Sequence, residues 1–454
     1  MDSAKSSDES SASSSSDESS GSYQLATHDY ANGVVTDSSG NIYVTGGTKG
    51  GLDGNTSQGN TDLFLLKYNS SGTKQWTKQF GSSGRDSANA IAIDTSGNLY
   101  VAGITYGGLG LHTNSGANDF FVVKYNSSGT RQWTQQLGTP STEGANGVAT
   151  DSSGNVYVVG NTYGALGDKK VGNSDLFVVK YNSSGTWQWT KQTGSGSWDE
   201  ARGVATDSSG NIYMVGGTKG DRMNGVNIGH NMTEIFVIKY NSSGARQWTK
   251  VLGTWKKDFA NAVNIDSSGN IYFVGATEKD LVAECKKGKQ ECDNFAGKDD
   301  LFVVKFDSKG KKQWTKQLGT KRNDRATGVA TDSSGNIYVT GYTYWKLDGN
   351  TYAGSNDAFV VKYNSSGTKQ WTKQFGTPSS DLADGIATDS SGNLYVVGYT
   401  YGDLDGNTNT GASDIFVVKY NSSGTKQWTK QLGSSSRDYD YGVVQKPSKK
   451  NPSF

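Results

Sequence analysis

Residues 384–432 read DGIATDSSGNLYVVGYTYGDLDGNTNTGASDIFVVKYNSSGTKQWTKQL. Four short stretches within them, 384–388, 393–398, 414–420 and 425–432, are rich in β-branched and aromatic residues, a composition that suits a pleated sheet. The first two are joined by Asp389-Ser390-Ser391-Gly392-Asn393 and the last two by Asn421-Ser422-Ser423-Gly424. Both connections are turn formers of hairpin length with a Gly available for positive φ. The third stretch is apolar on both faces and is expected to be covered on both. The unit predicts four antiparallel strands, and no segment of the chain shows a sustained helical period.

The same unit recurs along the chain. DSSGN or a near variant starts at Asp37, Asp94, Asp151, Asp207, Asp266, Asp332 and Asp389, and QWT carries Trp76, Trp133, Trp189, Trp248, Trp314, Trp371 and Trp428. The copies lie 56 to 66 residues apart in the same order. Seven four-stranded units predict an all-β fold, a seven-bladed β-propeller, because closing the ring removes the long edges that an open stack would expose. The first-strand motif occurs once more than the others, at Tyr30–Val35 and at Tyr439–Val444. The ring is therefore expected to close through N- and C-terminal segments, with one copy completing the last blade and the other surplus or sharing the seam. Three parts follow: a Ser/acidic tail over 1–22, the propeller over 23–445 and a basic, loose C-terminus over 446–454.

The stretches GVATDSSGNIYV (328–339), LDGNTNTGASDIFVVKYNSSGTKQW (404–428) and TKQLG (429–433) resemble the bacterial SBBP repeat, a seven-bladed β-propeller family. The Asp-Ser-Ser-Gly-Asn-Ile-Tyr-Val hairpin also resembles NHL repeats, and Asn-Ser-Ser-Gly-x-x-x-Trp the tryptophan-docking motif of quinoprotein propellers. The resemblance covers residues 23 to 445. It implies the fold and little about activity, since propellers host many unrelated roles.

Composition narrows the function. The chain has 454 residues, with 44 Lys+Arg against 43 Asp+Glu, which lacks the basic surplus of a nucleic-acid binder. No apolar run approaches the ~18 residues of a membrane helix. Two Cys exclude a disulfide scaffold and a four-Cys metal site. Residues 1–22 are Ser with Asp and Glu, too polar to bury a core. They resemble the tether after the lipidated Cys of bacterial lipoproteins, which implies an extracellular or cell-surface protein touching a membrane only through a lipid; a solubilising tail is the other reading.

In a four-stranded blade the one-to-two and three-to-four turns share one face, and here they are nearly invariant from unit to unit. The two-to-three and inter-blade loops share the other face and vary, so function is expected there. Where strand one enters the channel the side chains differ: Asn32, Asn89, Asn146, Arg202, Asn261, Thr327 and Asp384. These are the expected funnel rim. Trp198, Trp255 and Trp345, with Tyr106, Tyr163, Tyr344 and Tyr401, are candidates for an aromatic platform for sugars or peptides.

Two carboxylate series repeat strictly: Asp29, Asp86, Glu143, Asp199, Asp258, Asp324, Asp381 and Asp438, and Asp62, Asp119, Asp175, Glu234, Asp300, Asp357 and Asp414. With the Lys that ends each third strand they are expected to be structural, because a catalytic site needs one asymmetric constellation. The Leu-Asp-Gly-Asn-Thr loops offer a candidate calcium site at Asp53, Asp348, Asp403 and Asp405, although Asp-Gly and Gly-Asn also simply make turns. No other cofactor is expected. Cys285 and Cys292 lie close enough in sequence for a small disulfide, with two free thiols as the alternative. Asn-Ser-Ser at six three-to-four turns fits both N-glycosylation and turn geometry.

No nucleophile elbow, zinc-binding HExxH or P-loop is present. The function expected is a secreted or surface-tethered binding module whose variable loops hold a protein or glycan. One alternative is a propeller enzyme, a sugar lyase or hydrolase using Asp384, Arg202 and His230 at the funnel. The other is a purely structural surface protein.

Overall fold

The computed structural model describes residues 27–167, 169–228, 232–282 and 297–435. Seven four-stranded antiparallel sheets form a ring, each of four strands consecutive in the chain except in blade four, where a short hairpin intervenes. In blade one the strands are Asp29–Thr36, Ile42–Thr48, Asp62–Tyr68 and Lys74–Phe80. The innermost strands of blades two to seven are Asp86–Ile93, Glu143–Thr150, Trp198–Thr206, Asp258–Ile265, Asp324–Thr331 and Asp381–Thr388. Among the described residues the only helical pieces are single 3-10 turns at Leu52–Gly54, Leu347–Gly349 and Leu404–Gly406, and no helix is long and apolar enough to cross a membrane. Blade four carries a short extra hairpin, Arg222–Met223 with Val226–Asn227, that the repeat pattern does not announce.

The core lies between blades. Second and third strands are buried on both faces, and their apolar side chains form clusters shared by neighbours, such as Tyr157, Val159 and Leu176 of blade three with Met214, Phe236 and Ile238 of blade four. Full burial of each such side chain contributes about 1.5–3 kcal/mol. This explains why the third strand is apolar between its opening carboxylate and its Lys.

The invariant face is a chain of dockings. In each Asp-Ser-Ser-Gly-Asn turn the Asp carboxylate organises the loop: Asp37 accepts from Ser39 N, Asn41 N, Asn41 Nδ2 and Tyr43 OH, while Gly40 takes φ 75°. The Trp of each fourth strand lies on the Gly of the next blade's three-to-four turn, as Trp76 does on Gly129 and Trp428 on Gly72. The third-strand Lys does the same work: Lys124 Nζ donates to Ser183 O at 2.8 Å and Lys419 Nζ to Ser70 O at 2.8 Å. Its ammonium also sits over the second-strand Tyr, 5.2 Å from the Tyr100 ring in blade two. The structural expectation for the repeated Lys is thus met.

The seam repeats the other junctions. Asp86 N donates to Thr61 O, Glu143 N to Asn118 O, and at the seam Asp29 N to Ser413 O at 3.0 Å. In blade two Asp86 Oδ2 caps Ser82 N and Oγ; at the seam Asp29 Oδ2 caps Ser434 N at 2.6 Å and Oγ at 2.7 Å. Thr36 Oγ1 donates to Thr388 O as Thr206 Oγ1 does to Thr150 O. The N-terminal copy therefore fills the seam, as strand one of blade one, and among the described residues no strand of one terminus enters the sheet of the other. The second copy, including Asp438, lies outside the described residues.

Strand one carries a β-bulge in every blade. Ala31 and Gly33 pair with Gly46 and Thr45, leaving Asn32 without a partner. The equivalent extra residues are Asn89, Asn146, Arg202, Asn261, Thr327 and Asp384. The facing second-strand residue is always Gly. A Cβ on Gly160 would lie 1.7 Å from Gly144 O. Gly160→Ala is accordingly expected to lose at least ~3 kcal/mol in urea unfolding, since backbone must move to admit it.

Candidate functional site

A bulge turns its extra side chain out of the ladder. Seven bulges at one height send seven side chains into the mouth of the central channel. All seven expected rim residues line one open cavity of about 850 Å³.

Five of them also tie blades together. Asn32 Nδ2 donates to Ala88 O (2.8 Å), Asn89 to Ala145 O (2.9 Å), Asn146 to Ala201 O (3.0 Å) and Asn261 to Ala326 O (2.7 Å), while Thr327 Oγ1 donates to Ala383 O (2.7 Å). Two depart from this belt. Arg202 Nη1 donates sideways to Asn261 Oδ1 (2.7 Å), and its Nη2 pairs with Glu200 Oε2 at 3.0 Å. Asp384, ionised, has no proton to donate. Burial pushes its carboxyl up to about 7.

A second layer of side chains, missed at the sequence level, makes the funnel lopsided. At the second-strand position before the final Thr, blades one to five carry Gly47, Ile104, Asn161, Gly217 and Ala276, whereas blades six and seven carry Tyr342 and Tyr399. After the first-strand carboxylate stand Tyr30, Ser87, Gly144, Glu200, Phe259, Arg325 and Leu382. The signal was present as variation at two positions of an otherwise constant repeat.

The outcome is two sectors. On one side Phe259 lies under two guanidinium groups, Arg202 at 4.8 Å and Arg325 at 5.7 Å from its ring centre. Arg325 is paired with Asp299 at 2.5 Å, and Lys257 and Glu278 complete that wall. On the other side rings meet edge to face: Tyr342 with Tyr344 (6.1 Å), Tyr399 with Tyr401 (5.9 Å), Tyr30 with Tyr399 (6.4 Å) and His28 with Tyr401 (6.2 Å). Burial holds the Tyr399 and Tyr342 phenols above their ordinary range.

Other expected residues fall elsewhere. Trp198, Trp255 and Trp345 do not line the funnel. Trp198 opens strand one of blade four. Trp255 has the ammonium groups of Lys256 and Lys279 at 5.0 and 5.5 Å, and Trp345 packs on Tyr352 at 5.4 Å. The rings gathered on this side of the funnel are therefore those of tyrosines and His28, with Tyr344 and Tyr401 among the residues anticipated. His230, Cys285 and Cys292 lie outside the described residues.

The Leu-Asp-Gly loops belong to three blades and bind their own fourth strands. Asp53 pairs with Lys74 and accepts from Thr77 (2.7 Å), Asp348 pairs with Lys369, and Asp405 pairs with Lys426 at 2.5 Å. Asp403 caps Asn409 N at 2.8 Å. Among the described residues no three His, Cys, Asp or Glu side chains gather as a metal site, and the four candidate carboxylates are spread over three loops with partners of their own.

Comparison with known proteins follows this geometry. The chain is 25% identical over 407 residues to the regulatory protein FlaEY of Caulobacter vibrioides, covering 79% of this chain and 41% of that one. It thus spans less than half the length of that relative. In fold it is similar to a polysaccharide lyase, an ulvan lyase (TM-score 0.45, 12% identity, covering 88% of this chain and 91% of that one). It is likewise similar to a puromycin hydrolase (TM-score 0.49, 10% identity, covering 91% and 55%). The profile of the SBBP β-propeller repeat matches residues 24–53, 75–110, 132–168, 188–222, 313–344 and 370–405, and the chain is a seven-bladed β-propeller that carries six stretches matched by this repeat.

Proposed function

We propose that this propeller is a binding module, displayed at the cell surface, that holds a protein or glycan ligand at the funnel mouth of its variable face. One observation carries the reading: seven bulges aim chemically different side chains into one open cavity, while the opposite face satisfies itself with repeated turns. An invariant scaffold with one asymmetric pocket is the form that recognition takes on a rigid ring. The polar residues of the tail, 1–22, support surface display on a tether.

The test uses the labelled full chain on glycan and surface-protein arrays, followed by calorimetry with each hit. Arg202→Ala and Asp384→Asn are expected to weaken binding by about tenfold or more with the fold retained. Ser70→Ala, on the invariant face, is expected to change nothing. Loss of binding by Ser70→Ala, or none by the funnel variants, would move the site elsewhere.

A second reading rests on Asp384 alone. A carboxyl pushed up to about 7 in an open cavity is poised for proton transfer near neutral pH. In that case a hit would be turned over, and Asp384→Ala would abolish turnover while leaving the ligand bound.

A further inference from the structure

At the seam between blades seven and one the funnel opens into a side pocket of about 360 Å³. Its walls are the rings of His28, Tyr30, Tyr399 and Tyr401, with Asp384 and Asn32 beside them. Successive rings stand at 68°, 69° and 70° to one another. A sugar ring stacks on one broad, open aromatic face. Rings set nearly at right angles make a corner instead, which suits a compact, roughly spherical group. Their faces carry negative quadrupole potential, the environment in which quaternary and methylated ammonium groups are held.

The charges agree. Asp384 stands where five other blades place a hydrogen-bond donor, so its oxygens are not committed to the belt. The guanidinium of the adjoining blade six, that of Arg325, is engaged by Asp299. On the seam side, burial first and Lys49 second hold the His28 imidazole below its usual range, which keeps it neutral at pH 7. Tyr30 and Tyr401 line the pocket with Asp384, and Tyr342 and Tyr399 also face it, both remaining protonated phenols at that pH.

We infer that the seam pocket is a cage for a quaternary or fully methylated ammonium group, boxed by Tyr30, Tyr399 and Tyr401 and countered by the Asp384 carboxylate. The inference rests on the reading that the funnel mouth binds a ligand, and names the cationic group that the ligand carries.

The probes are choline and trimethyllysine, titrated calorimetrically into the full chain beside the neutral isostere of choline in which carbon replaces the ammonium nitrogen. Binding of either cation, with the isostere about tenfold weaker or worse, is the expected result. The tighter of the two cations tells whether the group comes from a choline or from a lysine side chain. Tyr401→Ala should weaken cation binding several-fold and Tyr401→Phe should retain it, because the quadrupole survives loss of the hydroxyl. Tyr401 is 40% exposed, so neither change should endanger the fold. Between pH 6 and pH 8 affinity should rise by up to about tenfold as Asp384 ionises, and Asp384→Asn should flatten that rise. Equal binding of cation and isostere, no binding of either cation, or retention by Tyr401→Ala would overturn the cage. If the cations fail while array hits still depend on Arg202 and Asp384, the cage falls and the binding module stands.

Discussion

A chain that begins after Thr36 is expected to lose its cooperative unfolding transition, and Asp440→Ala in that shortened chain is expected to restore much of it. The N-terminal strand supplies the Asp29 and Thr36 contacts of the seam and covers a cluster shared by Ile42, Val44 and Phe64 of blade one with Tyr395, Val397 and Ile415 of blade seven. Without it both faces meet water. The chain holds a second copy of this strand: residues 438–444 read DYDYGVV against DYANGVV at 29–35. Capping Asp, Gly and both Val recur in register. The misfit is Asp440, which falls at the place of Ala31. That place is Ala31, Ala88, Ala145, Ala201, Ala260, Ala326 and Ala383 around the ring, every one fully buried. Burying a carboxylate there without a partner costs several kcal/mol, comparable with the whole net stability of a domain. Circular dichroism in urea and on heating checks this with three chains. The full chain should show one transition, the shortened chain a melting point lower by roughly 10 °C or more, or none, and the Asp440→Ala chain most of the recovery. A shortened chain as stable as the full one would show that the seam does not need the N-terminal strand.

How far the sequence carried the reading follows from what repeats. Four strands, their turns and the docking Lys and Trp were legible because seven copies average away local accident. Asp414–Tyr420 was placed to the residue, since an apolar run closed by Lys-Tyr has one plausible register. The first strand was set too short, at Asp384 in place of Asp381. Its leading half is polar and small, and it is strand because the bulge and the neighbouring blade hold it, which is tertiary rather than local information. The rim residues were found by their divergence, but the bulge that aims them was not, although the Gly facing each of them in strand two, such as Gly398, was its sign. The tyrosine sector escaped for the opposite reason. Trp drew attention as the rarer, larger ring, while Tyr342 and Tyr399 lay inside strings that looked constant. Distances around the ring, such as blade seven meeting blade one, exist only once it closes.

Stability should be greatest in mildly acidic solution and fall as pH rises towards 9. Each inter-blade junction buries two carboxylates, such as Asp175 with Asp199 and Asp300 with Asp324. Desolvation, which the neighbouring carboxylate reinforces at Asp199 and Asp324, outweighs the hydrogen bonds from Thr and Ser and pushes Asp199 and Asp324 up to about 6. Asp258 rises to about 6 and its neighbour Glu234 to about 9, again chiefly through burial. A folded-state value above the unfolded one means that the folded chain keeps protons the unfolded chain has released. The benefit is complete below the unfolded values near pH 4 and is lost as pH climbs through the folded ones. For an Asp raised to about 6 the loss is about 3 kcal/mol taken alone, and paired groups titrate together rather than one by one. A smaller opposing limb comes from the Asp-Ser-Ser-Gly-Asn turns. There burial would raise Asp37, Asp207 and Asp332, but hydrogen bonds from Asn, Tyr and Ser outweigh it and hold them below their ordinary value. Their contribution is present above about pH 4 and disappears as pH falls through the depressed values. The two limbs leave a maximum near pH 4. Thermal melts between pH 4 and pH 9 should show a fall of roughly 10 °C or more across the alkaline limb. Glu234→Gln should flatten its upper part, because the amide stays neutral while filling the same space. A melting point that rises from pH 5 to pH 8 would mean that these carboxylates are ionised in the folded ring, and that something other than a proton neutralises them.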